Sequence, residues 1–143
     1  HHQERGVNSR LDELQAAVLR ARLPRLRNAT AARRRLAAAY RASLRSPAMQ
    51  VPAEYDAGHV YHLFPVLVAE RDRFQAHLRA AGIETLIHYP VPIPRQPAAT
   101  PWAPAMCPVA DRVTSEVVSL PLYPSLSPDA QAEVTAAVAA FSR

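Results

Sequence analysis

Apolar residues recur at helical spacing along the first third of the chain. Leu11, Leu14, Val18 and Ala21 fall on one face, and Leu26, Leu36, Tyr40 and Leu44 mark a second stripe beginning at Arg25. Ser9 and Asp12 open the first stretch at capping-box spacing, with aspartate where the box usually has glutamate or glutamine. Pro24 lies between the stripes. A proline suits the first turn of a helix and kinks the interior of one, so it either starts a second helix or bends a single long one. Ser46-Pro47 ends the pattern. The result is a two-part helix of about 35 residues, longer than globular helices usually run and of a kind that crosses between domains or subunits.

Beyond it the segments shorten. "HVYHLFPVLVAE" (59–70) reads as a buried strand, with Pro65 demoting it toward a sheet edge or a bulge because proline donates no ladder hydrogen bond. "RDRFQAHLRAAG" (71–82) reads as a short helix with Phe74, Leu78 and Ala81 inward and Gly82 just past its end. "IETLI" (83–87) predicts a second strand. Val109, Val113 and Val117 predict a further helix, followed by a short strand from Ser119 to Leu122. The last helix has Ser127 as cap and Pro128 in its first turn, with Ala130, Val134, Ala137, Val138 and Phe141 on one face. A small sheet covered on one face by helices, an α+β fold, is the economical assembly of these pieces.

"GIETLIHYPVPIPRQP" (82–97) places His88 and Tyr89 at the end of an apolar run and then four prolines, Pro90, Pro92, Pro94 and Pro97. Each fixes φ and removes a backbone donor, which excludes helix and central strand and predicts an extended, stiff loop. Such loops are good places from which to aim side chains at a ligand. Taken alone, a histidine like His88 is more often a hydrogen-bonded structural residue than a catalytic one.

Composition narrows the function. With 143 residues the chain can bury a core but is small for a complete metabolic enzyme, and 49% hydrophobic residues argue against disorder. No apolar run approaches a membrane span, and no secretory signal pattern opens the chain. The single cysteine, Cys107, allows no internal disulfide, fits a reducing compartment and reads as a buried structural thiol. All 17 basic residues are arginine, so chemistry needing a lysine Schiff base or a lysine base has no residue here to perform it.

Nine of those arginines, from Arg20 to Arg45, lie in a stretch without any acidic residue between Leu14 and Ala53. Such a face could track phosphates on nucleic acid, but no aromatic residues are interleaved for base stacking. A solvated face, or one docked on an acidic neighbour, is the better reading. His59 and His62 stand three apart in the expected strand and so point to opposite faces, and no Cys/His cluster has zinc-site spacing; no metal site is expected. Asn8-Ser9-Arg10, after Gly6 and opening a long helix, reads either as an anion site at a helix N-terminus or as ordinary capping.

Three stretches together, "RGVNSRLDELQAAVLRARLPRL", "VYHLFPVLVAERDRFQAHLRAAGIETLIHYPVPIPRQP" and "SEVVSLPLYPSLS", resemble in this order the C-terminal part of DegT/StrS-type sugar aminotransferases. The resemblance runs from about Gly6 to Phe141. It implies the small C-terminal α+β domain of a fold-type-I enzyme, with a small antiparallel sheet covered by helices and a long interdomain helix before it. On that reading residues 1–45 lead from a large domain outside this sequence and residues 46–143 form the small domain. The family's members are cytoplasmic, homodimeric and dependent on pyridoxal phosphate, and they move an amino group from glutamate or glutamine to a keto sugar, usually nucleotide-linked. The cofactor and its lysine belong mainly to the large domain, so this chain alone is expected to be inactive. Asn8 matches the family asparagine that reaches the cofactor phosphate, and Arg10 the arginine that follows it. His88 and Tyr89 match a His-aromatic pair at the active-site edge. Pro94 stands where many members carry a second histidine. The rival expectation is a stand-alone binding or dimerisation module that uses its arginine helix on an acidic or nucleic-acid partner.

Overall fold

The computed structural model describes residues 11–102 and 106–141. Asp12 caps the first helix, α1 (Glu13–Arg22), by accepting from the Gln15 N–H at 2.7 Å. Pro24 sits in a tight 3-10 turn, Leu23–Arg25, that joins α1 to α2 (Leu26–Ser43), so the proline ends one helix and starts another. α1 buries none of its residues, and its apolar positions Leu14, Val18 and Leu19 are exposed. The second stripe does enter the core: Ala37, Tyr40 and Leu44 are buried, with Leu36 packed against them.

The sheet has three antiparallel strands in the order β1 (Met49–Gln50), β2 (Phe64–Val68), β3 (Val117–Leu120). β2 alternates, with Phe64, Val66 and Val68 buried in the core opposite Leu120 and Val118 of β3. Helix α3 (Arg71–Ala80) packs on β2 and β3, α5 (Pro128–Ala140) packs on α2 and α3, and α4 (Pro108–Glu116) meets β2. Phe74 and Phe141 meet edge-on with ring centres 5.1 Å apart, and Tyr40 stacks obliquely on Phe64 at 5.0 Å. The Tyr40 hydroxyl donates to the Pro121 carbonyl at 3.0 Å, and burial pushes this phenol's pKa well above its ordinary value.

Several expectations change. The strand expected over 59–70 shortens to five residues, because Tyr61 turns the chain with a left-handed φ of 50°; His59 and His62 therefore lie in a loop. Pro65 occupies the central strand and not an edge. Its partner Ser119 sends both backbone hydrogen bonds away from it, to Leu86, so no donor is needed on that side. On the other side, the β1 pairing reaches only Leu67 and Val68, leaving Pro65 beyond it. "IETLI" contributes one bridge, Leu86 to Ser119, and no strand. Val109 is exposed on α4, and Val117 belongs to β3, so the three valines do not share a helix face. The proline segment is not extended throughout: it forms 3-10 turns over Ile93–Arg95 and Pro97–Trp102, because proline's fixed φ also fits that helix. Cys107 is half-buried at the N-cap of α4 rather than enclosed. Gln131, polar on an otherwise apolar face, is buried and donates to the Leu36 carbonyl at 2.7 Å, which ties α5 to α2.

The end of α3 follows its sequence closely. Gly82 takes φ +77°, its N–H reaches Arg79 O at 2.9 Å, and Ile83 N–H reaches Leu78 O at 2.9 Å. Together they satisfy the last carbonyls of the helix in a Schellman arrangement, with Ile83 and Leu78 both in the core. A Cβ on Gly82 would meet nothing within 4 Å, so Gly82→Ala tests backbone conformation alone. We expect it to cost about 1–2 kcal/mol in denaturant unfolding, the left-handed penalty of a residue with a side chain.

Candidate functional site

A groove of about 530 Å³ opens beside β3. Residues of the 82–88 segment form one wall, Ser119 to Tyr123 another, and Ala130 and Val134 of α5 a third. Two backbone hydrogen bonds fix the first wall to the second: Ser119 N–H to Leu86 O at 2.8 Å and Leu86 N–H to Ser119 O at 3.4 Å. Side chains two apart on an extended chain share a face, so His88 follows Leu86 toward the groove. There His88 Nδ1 lies 3.0 Å from Ser119 Oγ. The Tyr40–Pro121 hydrogen bond anchors the second wall to α2.

His88 is half-buried and lines the groove. Tyr89 is 71% exposed, lies outside the groove wall and meets the His88 ring edge-on at 5.6 Å. Asn8 and Arg10 lie outside the described residues. Ser119 was not singled out by sequence reasoning; its signal was one hydroxyl in the apolar run "VVSL". The groove also carries Glu84, Glu133 and Tyr123, and among the described residues no arginine lines it. Part of the basic helix face is engaged within the chain: Arg34 donates to His59 O at 2.9 Å, and Arg41 pairs with Glu54 at 3.6 Å and donates to the Tyr61 hydroxyl. Among the described residues no group of His, Cys, Asp or Glu could hold a metal ion, and no helix is long and apolar enough to cross a membrane.

The model of the DegT/DnrJ/EryC1/StrS aminotransferase family matches residues 1–139. The chain belongs to this family. It is 44% identical over 135 residues to the dTDP-3-amino-3,6-dideoxy-alpha-D-galactopyranose transaminase of Aneurinibacillus thermoaerophilus, covering 94% of this chain and 37% of that protein. The crystal structure of S. venezuelae DesV in complex with a ketimine intermediate is 40% identical and superposes with TM-score 0.87, over 100% of this chain and 40% of that one. The Bacillus subtilis NtdA structure with bound cofactor PMP is 30% identical, with TM-score 0.79 over 93% of this chain and 33% of that one. The chain thus spans about two fifths of the length of these family members or less.

In this family member the loop that follows His88 is tied down by an ion pair. Arg95 grips Asp111 of α4 with two hydrogen bonds, 3.2 and 2.9 Å, while Gln96 Nε2 donates to Val91 O at 3.1 Å. The hydrogen bonds from Arg95, then its charge, hold the Asp111 carboxyl below its ordinary pKa. A lowered folded-state pKa means that the pair stabilises the fold above the ordinary carboxylate value and ceases to as pH falls through the lowered one. In Arg95→Ala the Asp111 titration, followed by NMR, should rise back to the ordinary aspartate range. Amide exchange over residues 90–99 should quicken at the same time; unchanged exchange would show that the pair does not hold the loop.

Proposed function

We propose that this chain is the C-terminal part of a pyridoxal-phosphate-dependent sugar aminotransferase, with residues 1–45 leading out of a large domain and 46–143 forming the small one. The enzyme moves an amino group from glutamate or glutamine to a keto sugar carried on a nucleotide. The observation that carries this reading is His88, held by Ser119 on the wall of a groove in a chain 44% identical to a dTDP-sugar transaminase. Glu84, Glu133 and Tyr123 in the same groove offer hydrogen-bonding partners for a hydroxyl-rich ring.

The described residues do not fit the cofactor's phosphate. A dianion calls for cationic side chains or free backbone donors, and this groove presents two carboxylates and no arginine. The 143 residues include no lysine to hold the cofactor covalently. Pyridoxal phosphate would supply the electron sink from a site formed elsewhere in the longer enzyme, and this wall would receive the sugar. His88 and Tyr89 then stand at the edge where the sugar enters. Asn8 and Arg10 would meet the cofactor phosphate, as the family likeness implies. The enzyme works as a homodimer.

In the full-length enzyme, His88→Ala should lower turnover by about ten-fold or more through lost orientation of the sugar, at a stability cost of about 1–3 kcal/mol because the buried Ser119 hydroxyl loses its partner. Turnover equal to wild type would remove His88 from the site. Asn8→Ala should weaken cofactor retention roughly ten- to a hundred-fold, the worth of about 1.5–3 kcal/mol for a hydrogen bond to a charged group. Unchanged retention with a lowered melting temperature would make Asn8 a plain helix cap.

A further inference from the structure

Ser119 is the one polar residue of β3, and at 5% exposure it is as buried as its neighbours Val117, Val118 and Leu120. Its backbone N–H and C=O are both used by Leu86. Its hydroxyl has one partner, His88 Nδ1 at 3.0 Å, and no second hydrogen bond of that hydroxyl forms among the described residues. A buried hydroxyl without an acceptor is costly, whereas a buried oxygen with spare lone pairs is tolerated more easily. Were Nδ1 protonated, it would donate to Oγ, and the serine proton would be left without an acceptor in an apolar wall. With Nδ1 unprotonated, the serine proton is satisfied and the imidazole proton moves to Nε2.

Among the described residues Nε2 has no partner, and it is not enclosed, since the only buried side-chain nitrogen or oxygen without a partner there is Arg33 Nε. We infer that Ser119 is a positioning residue: its hydroxyl donates to His88 Nδ1, fixes the neutral ring in the Nε2–H tautomer, and leaves that N–H to donate to a hydroxyl or carbonyl oxygen of the sugar in the groove. This rests on the proposed function for its substrate, but not for its hydrogen-bond geometry. Neutral His88 therefore enters the groove as a donor and not as a base. Its contribution is recognition and orientation of the sugar, and proton abstraction falls to another group of the complete enzyme.

The test uses the full-length enzyme with histidine ring nitrogens labelled, His88 being assigned by the signal lost in His88→Ala. At a pH where His88 is neutral, NMR should show an unprotonated Nδ1 and a protonated Nε2. Ser119→Ala should mix the tautomers and lower kcat/KM for the sugar roughly two- to ten-fold, the range of one net hydrogen bond. Ser119→Thr, which keeps the hydroxyl, should restore both. In a His88→Ala background Ser119→Ala should cost nothing further in kcat/KM. A protonated Nδ1 in the wild type overturns the inference, and that measurement decides even if Ser119→Ala fails to fold. Tautomers unmoved by Ser119→Ala, or an equal loss of kcat/KM without His88, overturn it as well. If the Nε2–H signature is present but His88→Ala leaves turnover intact, the tautomer assignment stands and the proposed role of His88 in the reaction falls.

Discussion

The pairing of Leu86 with Ser119 is the constraint on which the groove depends. β3 spends one side of its backbone on β2, and at Ser119 it turns both hydrogen-bonding groups outward to a segment that is otherwise irregular. That single bridge carries the chain from the end of α3 to His88 and sets the side on which the imidazole emerges. It also explains a proline in the central strand, since the position opposite Pro65 asks for no donor. One residue of β3 thus reconciles the sheet, the proline and the placement of the histidine.

The helices were legible because their signals are local. Ser127 caps as its position suggests, Gly82 adopts the left-handed turn that glycine permits, and Pro24 divides two helices where a proline at a first turn belongs; Asp12, expected as the acidic partner of a Ser9 cap, is itself the cap of α1. The strands were less legible because pairing is not local. Nothing in "IETLI" shows that only Leu86 finds a partner, and nothing in "HVYHLFPVLVAE" shows that Tyr61 adopts a positive φ. Tyr61 is held there by its neighbours: its N–H donates to His59 Nδ1, and its hydroxyl bonds both Glu54 and Arg41. Those partners come from a loop and from α2, beyond the reach of any periodicity.

The site divides in the same way. His88 stood out because it ends an apolar run before four prolines, and Tyr89 because it adjoins it. Ser119 carried only the faint signal of a hydroxyl among valines and a leucine, and its meaning depends on a contact across 31 residues. The proline loop was read as stiff because proline restricts φ, but prolines alone do not dock a loop. The docking comes from Arg95 on Asp111, two residues whose pairing no local pattern announces.

Charge gives the division of labour in the proposed enzyme its physical form. The basic side chains of α2 lie away from the groove, and two of them, Arg34 and Arg41, are engaged by the His59 carbonyl and by Glu54 and Tyr61. The groove itself holds carboxylates, a phenol and one imidazole. A phosphate drawn toward that wall would meet like charge, while a neutral ring of hydroxyls would meet acceptors at Glu84 and Glu133 and, with His88 in the Nε2–H form, a donor as well. In the proposed enzyme such a wall would favour a neutral, hydroxyl-bearing ring over an anion, by charge and by hydrogen-bond pattern together.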